Sequence, residues 1–246
     1  MFGAKFARKV RQKPRLPEGI RIYAMSDIHG RADLLKQMFT VIDRDLSASQ
    51  SIRPIQVFLG DYIDRGPQSF ETIELLIDRA RRHECVFLKG NHEVILLDAL
   101  ANPPLLDEWR QFGGLQTLTS YGLQPTLRPS DGEKTELMRE LYEKIPQTHG
   151  YFYRNLRASF TCGDFFFVHA GVKPGIPLDL QQEQDLFWIR EEFLESSADF
   201  GKYVVHGHTP VSTPDIRPNR INIDTGAYAT GNLSLLSIQG DRLLVV

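Results

Sequence analysis

The strongest constraint in the sequence is a succession of three units, each made of an apolar run, a polar loop and an amphipathic helical pattern. The apolar runs at 20–26, 54–59 and 85–88 are typical of buried strands, and apolar residues at helical spacing follow each of them. Strands that alternate with helices in this way pair in parallel through right-handed crossovers. The order therefore predicts a parallel sheet whose polar loops all lie at one edge.

The loop after the second apolar run concentrates charge. The apolar residues 57–59 lead directly into 60–66, which read Gly-Asp-Tyr-Ile-Asp-Arg-Gly. Burying an unpaired charge is costly, so Asp61, Asp64 and Arg65 must meet water, one another, a metal or a ligand. Ligand sites of open α/β sheets lie just beyond the carboxyl ends of strands. We therefore expect the chemistry of this chain to be located there.

The second half of the chain has a different character. Pro103-Pro104 ends the third helical pattern, and a helix is expected near 133–145, so residues 101–150 form a helical and loop insert. Strands are predicted at 152–160, 165–168, 203–205 and 221–223, with a closing hairpin of 233–238 and 243–246. No linker divides this body, which predicts one domain over 20–246.

The charge distribution separates a basic start from an acidic remainder. Six of the 29 Lys and Arg residues fall within the first 15 positions, which hold no Asp or Glu, so the rest has eight more acidic than basic residues. An acidic body argues against nucleic acid as a partner. Residues 1–19 are expected to be a flexible basic tail, suited at most to weak contact with an anionic membrane or a partner protein.

Composition also argues against a membrane-spanning or disulfide-rich protein. No apolar run reaches the roughly 18–20 residues that a membrane span needs, and no charged and then apolar signal sequence opens the chain. Cys85 and Cys162 form no CxxC pair and lie among strand-like residues. We interpret both as core residues in a reducing compartment, which predicts a cytoplasmic protein.

Oxygen and imidazole donors follow six of the predicted strands. They are Asp27 and His29, then Asp61 and Asp64 with Arg65, Asn91 and His92, His169, His206 and His208, and Asp224. The set holds no thiolate, so it suits Mn²⁺, Fe or Zn²⁺ bound for chemistry rather than a structural zinc ion. The donors are too many for one tetrahedral ion and fit two ions that share a carboxylate, for which Asp61 is placed best. Asp27 and His29, two residues apart on an extended backbone, are expected to bind one of the ions.

Five motifs, in this order, resemble those of the metallophosphoesterases. They are Asp27-x-His29-Gly30, Gly60-Asp61-x-x-Asp64-Arg65-Gly66, Gly90-Asn91-His92-Glu93, His169-Ala170-Gly171 and Gly207-His208-Thr209. The resemblance spans residues 22 to about 240 and is nearest to the phosphoprotein phosphatase branch, in its short bacterial and phage form. It implies an α/β (α+β) fold, a β-sandwich of two mixed sheets flanked by helices, with the active site at the carboxyl ends of the strands.

The resemblance also implies a role for each matching residue. Asp27 and His29 would bind the first metal, Asp61 would bridge, and Asn91, His169 and His208 would bind the second. His92 would be the general acid and Asp64 the carboxylate that orients it, while Arg65 and Arg190, with Asn91 and His92, would contact the phosphate. His206, Asp224 and Tyr228 are expected around these groups, with Asp224 orienting His206.

This set of residues suits hydrolysis of a phosphomonoester. Two cations offset the charge of the phosphoryl group and lower the pKa of a shared water, which can then attack in line. The leaving alkoxide needs a proton, which His92 held by Asp64 is able to supply. The simpler alternatives are that Asp64 caps a helix or pairs with Arg65, and that Arg190 pairs on the surface with Glu191 or Glu192.

Three functions remain open from the sequence. The first is a serine/threonine protein phosphatase that uses two divalent ions, with Mn²⁺ favoured and Fe or Zn²⁺ as alternatives, and acts on phosphoproteins or phosphopeptides. The second is a hydrolase of nucleotides or dinucleoside polyphosphates, such as diadenosine tetraphosphate, at the same metal centre. The third is a binding module for phosphate or metal without catalysis, against which the full set of ligands and arginines argues.

Overall fold

Two five-stranded mixed sheets lie face to face in this protein. A computed structural model describes residues 13–48, 52–126 and 128–246 of the 246 in the chain. The first sheet has the spatial order β10 (Arg242–Val245), β9 (Leu236–Gln239), β1 (Ile20–Met25), β2 (Arg53–Phe58) and β3 (Cys85–Phe87). The second has the order β4 (Ser159–Cys162), β5 (Phe165–Val168), β6 (Tyr203–His206), β8 (Arg220–Asn222) and β7 (Asp215–Ile216).

Helices cover the outer faces of both sheets and close their ends. They are α1 (Ala32–Ser47), α2 (Ser69–Ala80), α3 (Asn91–Ala101), α4 (Leu106–Gln111), α5 (Gly114–Ser120), α6 (Asp131–Lys144), α7 (Gln147–Arg154), α8 (Glu183–Trp188), α9 (Glu191–Leu194) and α10 (Ala227–Thr230). Two short 3₁₀ helices occupy Pro103–Leu105 and Leu178–Leu180. Among the described helices, none has both the length and the apolar character that crossing a bilayer requires.

The central strands of each sheet run in parallel, which confirms the predicted architecture. In the first sheet β1 pairs with β2 and β2 with β3, and in the second β5 pairs with β6 and β6 with β8, all in parallel. The closing hairpin is also confirmed, since β9 and β10 pair in antiparallel fashion and β10 is the edge strand. The parallel strands of each sheet therefore end along one edge, where their loops gather.

Burial on both faces explains why most residues of the central parallel strands are apolar. Successive residues of a strand point to opposite faces. Ile22 and Ala24 of β1 accordingly pack between the two sheets, whereas Tyr23 and Met25 pack against the helices that cover the first sheet. A third cluster, which includes Phe166, lies on the outer face of the second sheet. This packing holds the loops of the two sheets in fixed positions.

The core between the sheets should dominate stability. We expect Phe167→Ala to lower the free energy of unfolding by about 3–5 kcal/mol, because the ring is completely buried between the sheets. Urea denaturation of both proteins measures the change. Leu244→Ala is the control: this side chain is 62% exposed, so the change should stay within about 0.5 kcal/mol. Equal losses in the two variants would contradict this packing.

One predicted strand is wrong. Residues 147–154 form the helix α7, and the strand β4 that precedes the hairpin begins only at Ser159. His149, Phe152 and Tyr153 are buried on one side of this helix, at the i, i+3, i+4 spacing of an amphipathic helix. The aromatic residues favoured a strand in the sequence, but burial against the helical layer decides the conformation.

The boundary of the basic tail also differs from the prediction. Leu16 is buried between the sheets, and its backbone N–H donates to the carbonyl oxygen of Gly240 at 2.9 Å. The backbone N–H of Arg15 donates to Asp164 Oδ2 at 3.0 Å. The buried side chain of Leu16 and these two hydrogen bonds together hold the segment against the body. The remainder of the predicted tail, residues 1–12, lies outside the described residues.

Candidate functional site

The predicted site residues lie on loops at the carboxyl ends of the parallel strands. Asp27 and His29 follow β1, Asp61 follows β2, and the loop after β3 leads into α3, which begins at Asn91. His169 follows β5, His208 follows β6 and Asp224 follows β8. The ends of both sheets thus contribute to one cluster, which places residues up to 181 positions apart in hydrogen-bond contact.

The backbone of the site loops has an unusual conformation. Within the described ranges, every non-glycine residue with a positive φ belongs to the predicted site: Asp27, His29, Asp61, Asp64, Arg65 and His208. Such conformations cost about 1–3 kcal/mol each and cluster at functional sites. Asp27 and His29 therefore do not lie on an extended backbone as predicted. The tight left-handed turn, rather than the alternation of a strand, directs their side chains.

Asp61 is shared between two groups of potential metal ligands. One group is Asp61, His29 and His92, and the other is Asp61, His169 and His208, with all ligand atoms of a group within 4.8 Å of one another. Asp61 Oδ2 lies 3.5 Å from His29 Nε2, and its Oδ1 lies 3.5 Å from His169 Nε2. The two carboxylate oxygens therefore face different groups, as a bridging ligand requires.

Hydrogen bonds fix the protonation of the two histidines nearest to Asp61. His29 Nδ1 lies 2.8 Å from the carbonyl oxygen of Ile63, and His169 Nδ1 lies 3.0 Å from that of Leu59. A carbonyl only accepts, so both Nδ1 atoms donate and both Nε2 atoms present a lone pair to the site. Burial lowers the pKa of His169 to about 3 and that of His29 well below its usual value. Burial therefore favours the neutral form of both imidazoles, which is the form that binds metals.

Asn91 and His208 complete the second group. Asn91 Oδ1 lies 3.0 Å from His169 Nε2 and 2.9 Å from His208 Nδ1. Two lone pairs that face each other at this distance repel unless a proton or a cation lies between them. In addition, the buried Nε2 of His208 has no hydrogen-bond partner in the part of the chain that the structure describes. The donors present here therefore fit a divalent cation.

Asp27 joins the two sheets at the site. Both of its carboxylate oxygens accept from the backbone N–H of His208, at 3.0 and 3.2 Å, and Ser26 Oγ donates to Oδ2. Gly207 is required here because a Cβ atom at that position would clash with Ser26 and Asp27. Burial and the charge of Asp224 raise the pKa of Asp27 well above its usual range. A bound cation would relieve this unfavourable charge.

Glu93 holds the central loop in place. Its buried carboxylate accepts from the backbone N–H groups of Asp61, Tyr62 and Gly90 at 2.9, 2.8 and 3.0 Å. Burial raises the pKa of Glu93 to about 7, against the effect of these hydrogen bonds. Asp61, like Asp27, has a pKa raised well above normal, by burial and then by the charges of Asp27 and Glu93. The site therefore concentrates buried carboxylates that favour positive charge.

His92 is paired with a second buried carboxylate. His92 Nδ1 lies 2.7 Å from Asp64 Oδ2, and both side chains are fully buried. His92 Nε2 points toward Asp61, 3.7 Å from Oδ2, and has no hydrogen-bond partner among the described residues. Burial raises the pKa of Asp64 to about 7 and lowers that of His92 well below normal. A carboxylate-held imidazole with a free Nε2 is able either to transfer a proton or to bind a metal.

The two arginines occupy different positions. Arg65 donates from Nη1 to His29 Nε2 at 3.2 Å, and its guanidinium lies 4.8 Å from the ring centre of Tyr228. Arg190 lies between α8 and α9 and donates from Nη1 to Thr209 Oγ1 at 3.4 Å. Thr209 adjoins the site residue His208. Both guanidinium groups are therefore near the cluster.

The peripheral residues differ partly from their predicted contacts. His206 does not pair with Asp224: its ring nitrogens lie 3.1 Å from the Gly207 carbonyl oxygen and 3.4 Å from Arg220 Nη1. Asp224 Oδ1 instead accepts from the backbone N–H of Gly226 at 2.8 Å. His206 is the last residue of β6, and its ring packs on Phe193 in the cluster on the outer face of the second sheet. It therefore faces away from the site loops. Tyr228 is 40% exposed, with its ring edge to face with that of His29.

Two residues of the insert contact the site without having been predicted. Trp109 Nε1 donates to Asp64 Oδ2 at 2.8 Å, and Thr117 Oγ1 donates to Asp64 Oδ1 at 2.5 Å. The sequence held only an indirect signal, the pair Gly113-Gly114 between them. Trp109 and Thr117 lie 45 and 53 positions from Asp64, and contacts between such distant residues leave no periodic pattern in a single sequence.

Comparison with known proteins agrees with this arrangement. The family model described as calcineurin-like phosphoesterase matches residues 20–238. The chain is 28% identical to a bis(5'-nucleosyl)-tetraphosphatase PrpE [asymmetrical] of Anoxybacillus flavithermus over 86% of this chain and 88% of that one. It is 29% identical to the protein of the same name in Bacillus velezensis, over 85% and 86%.

Solved structures of low sequence identity share the fold. A cold-active protein-tyrosine phosphatase of Shewanella sp. aligns with a TM-score of 0.56 and 16% identity over 94% of this chain and 80% of that one. A protein serine/threonine phosphatase of Saccharomyces cerevisiae aligns with a TM-score of 0.52 and 14% identity over 95% and 83%. With the family model matching nearly the whole described body, this chain belongs to the calcineurin-like phosphoesterases, a family of metal-dependent hydrolases of phosphoesters.

Proposed function

We propose that this chain hydrolyses dinucleoside polyphosphates at a centre of two divalent metal ions. The observation that carries the proposal is the similarity, over 86% of the chain, to proteins named bis(5'-nucleosyl)-tetraphosphatase. A hydrolase of dinucleoside polyphosphates is the alternative that the sequence left open. A protein phosphatase, the leading hypothesis from the motifs, becomes the second candidate.

Each ion would be held by its own group of ligands. Asp27 and His29 would bind the first ion and Asn91, His169 and His208 the second, with Asp61 between them. When bound, the ions would neutralise phosphoryl oxygens and lower the pKa of water at the site. The donors are oxygen and imidazole, which Mn²⁺, Fe and Zn²⁺ all accept.

The remaining site residues would act on the substrate. Arg65 and Arg190 would bind phosphoryl oxygens, because a guanidinium matches two such oxygens at once. For this purpose Arg65 would exchange its hydrogen bond to His29 Nε2 for one to the substrate. His92, held by Asp64, would donate a proton to the leaving oxygen. Phe112, whose ring packs edge to face on His92, would exclude water from the part of the site next to His92.

Aromatic rings beside the site favour a nucleotide substrate. Tyr228 lies 5.5 Å from the His29 ring and under the Arg65 guanidinium, with 40% of its surface exposed. On the other side, Trp188 packs edge to face with Phe112 and with His208. Stacking of a base on an aromatic ring contributes about 1–3 kcal/mol. Tyr228 is therefore suited to bind a base whose phosphates reach Arg65.

One feature favours the second candidate. A nucleotide leaving group departs as a phosphate anion and gains little from protonation, whereas the alkoxide of serine or threonine requires it. The fully buried His92–Asp64 pair is thus more useful to a protein phosphatase. Substrate preference separates the two functions, since both use the same residues.

A substrate panel with Mn²⁺ tests the proposal. We expect kcat/KM for diadenosine tetraphosphate to exceed that for a phosphoserine peptide by at least about tenfold, which is about 1.4 kcal/mol of transition-state binding. Tyr228→Ala should lower kcat/KM for the dinucleotide by about 5- to 150-fold, from the loss of stacking, and leave p-nitrophenyl phosphate hydrolysis unchanged.

Tyr151→Ala serves as the control, because Tyr151 is 67% exposed on α7, whose residues contribute to the helical layer rather than to the site. This variant should change neither the hydrolysis of diadenosine tetraphosphate nor that of p-nitrophenyl phosphate. Faster hydrolysis of the phosphopeptide, with no effect of Tyr228→Ala, would instead assign the chain to the protein phosphatases.

A further inference from the structure

The buried carboxylate of Asp64 is surrounded by donors from three elements. Oδ2 accepts from Trp109 Nε1 at 2.8 Å and lies 2.7 Å from His92 Nδ1, while Oδ1 accepts from Thr117 Oγ1 at 2.5 Å. Trp109 belongs to α4, Thr117 to α5 and His92 to α3. The carboxylate is completely buried, so these donors replace the water that an exposed Asp would bind.

The Thr117 hydroxyl has all of its hydrogen-bonding capacity in use. Its one proton goes to Asp64 Oδ1, and its oxygen accepts from the backbone N–H of Asp64 at 2.9 Å. Ser69 Oγ, at 3.0 Å, supplies the remaining contact. A hydroxyl has one proton and two lone pairs. Thr117 thus binds both the side chain and the backbone of Asp64, a residue with a φ of 70°.

The turn between α4 and α5 fits closely against this loop. Gly113 has a φ of 96°, and its carbonyl oxygen accepts from the backbone N–H of Arg65 at 3.2 Å. A Cβ atom at Gly113 would clash with the backbone of Arg65, and one at Gly114 would clash with the indole of Trp109. Only glycine therefore lets α4 and α5 approach closely enough for Trp109 and Thr117 to reach Asp64 together.

The arrangement leaves His92 one orientation. Its Nδ1–H points to the fixed Asp64 Oδ2, which turns Nε2 toward Asp61, 3.7 Å away, with no hydrogen-bond partner in the described part of the chain. Without Trp109 and Thr117, the Asp64 carboxylate would be free to rotate and to hold the imidazole less firmly. Outer hydrogen bonds of this kind typically change activity by 10- to 100-fold.

We propose that Trp109 and Thr117 are positioning residues, which lock the Asp64 carboxylate so that His92 presents Nε2 to the leaving oxygen of the substrate. The proposal rests on one part of the proposed function, the role of His92 as proton donor, which matters for leaving oxygens that require a proton. It makes the insert of residues 101–150 part of the active site and not only a covering element. The alternative is that both side chains serve packing alone, since Trp109 is also part of the core between the first sheet and the helices that cover it.

Leaving groups of different basicity distinguish positioning from packing. Trp109→Phe keeps an aromatic ring, although a smaller one, and loses the N–H donor, whereas Thr117→Val keeps the shape of the side chain and loses the hydroxyl. Each variant should lower kcat for phenyl phosphate, whose leaving oxygen requires a proton, by about 10- to 100-fold. KM should be unchanged. Hydrolysis of p-nitrophenyl phosphate, whose leaving group departs as an anion, should be nearly unaffected.

Two matched variants complete the set. Thr117→Ser restores the hydroxyl and should recover the phenyl phosphate rate. Thr119→Val removes an exposed hydroxyl from the same helix, one that donates to the Leu115 carbonyl oxygen, and should change neither rate. Combining Trp109→Phe with His92→Asn should give no further loss, because residues that act as one unit are not additive.

A spectroscopic measurement is independent of turnover. The Nδ1 proton of His92, hydrogen-bonded to a carboxylate, should give a downfield ¹H NMR signal in the metal-free protein that disappears in His92→Asn. It should broaden or shift in Trp109→Phe and Thr117→Val and return in Thr117→Ser. An unchanged signal with an unchanged phenyl phosphate rate would overturn the proposal, as would equal losses with both substrates.

Failure of the proton-donor role of His92 can be told apart from failure of the positioning role of Trp109 and Thr117. If His92→Asn lowers kcat for phenyl phosphate and for p-nitrophenyl phosphate by the same factor, His92 is not the proton donor. A shifted Nδ1 signal in Trp109→Phe would then still assign Trp109 to the orientation of His92, with a purpose other than proton donation.

Discussion

Asp61→Asn is expected to abolish activity and to release metal. Asp61 is the one carboxylate common to both groups of potential ligands, with Oδ2 facing His29 and Oδ1 facing His169. Electrostatic activation by metal ions contributes several kcal/mol to a reaction of this kind, and each 1.36 kcal/mol is a factor of ten in rate. We therefore expect a loss of roughly 10³-fold or more in kcat, with fewer than two ions per chain by metal analysis after dialysis.

The variant should remain folded, which separates loss of metal from loss of structure. The pKa of Asp61 is raised well above normal by burial and by the charges of Asp27 and Glu93. A carboxyl group whose pKa is raised on folding costs stability as the pH rises above its unfolded value. Removing this charge should leave the metal-free protein at least as stable at neutral pH. Asp98→Asn, at an exposed position of α3, should keep both ions and full activity.

A normal metal content and rate in Asp61→Asn would exclude a shared ligand at this position. In that case the two groups of ligands would act separately or not at all. The comparison of the melting temperature with and without Mn²⁺ gives an independent reading. Ligand binding raises stability by RT ln(1 + [L]/Kd), about 2.7 kcal/mol at 100 times Kd. The rise in melting temperature that Mn²⁺ causes in the unsubstituted protein should be smaller in Asp61→Asn.

His92→Asn is expected to separate proton transfer from metal binding. The ring is fully buried, with Nδ1 bound to Asp64 and Nε2 facing the site. General acid catalysis contributes about 10²- to 10⁴-fold. We expect a loss in this range for phenyl phosphate, with both metal ions retained.

The metal content decides between the two chemical roles that the geometry allows. His92, His29 and Asp61 form one of the groups in which the ligand atoms lie within 4.8 Å of one another. If His92 were a ligand, the variant would lose one ion together with its activity. Asp64→Asn should resemble His92→Asn in rate and should also keep both ions, because Asp64 contacts His92 and is not among the residues proposed to hold the ions. Unchanged turnover in both variants would remove the pair from the reaction.

Local sequence was sufficient to identify most of the side chains that the fold brings together in the candidate site. The strands β1, β2 and β3 are mostly apolar because both of their faces are largely buried, so their apolar runs are visible without any knowledge of contacts. The polar residues that follow them are conspicuous for the same reason, since charge cannot continue into the core. Asp27, Asp61 and Asn91 were found in this way.

Local sequence failed where burial in three dimensions overrode it. The aromatic stretch 152–160 favoured a strand, yet its first residues belong to a helix because His149, Phe152 and Tyr153 are buried on one side of it. His206 follows the pattern of a site residue, but its contacts are with Gly207 and Arg220. Leu16 was predicted to belong to a flexible tail, but it is buried between the sheets and hydrogen-bonded to Gly240.

The sequence alone indicated the alternation of the first three strands and helices and the oxygen and imidazole donors that follow the strands. The tertiary structure decided how those donors meet. Left-handed backbone at Asp27, His29 and Asp61 directs the side chains, and Trp109 and Thr117 reach Asp64 from an insert 45 and 53 residues away. Apolar periodicity is a property of neighbours along the chain, whereas a hydrogen bond between distant segments exists only after the chain has folded.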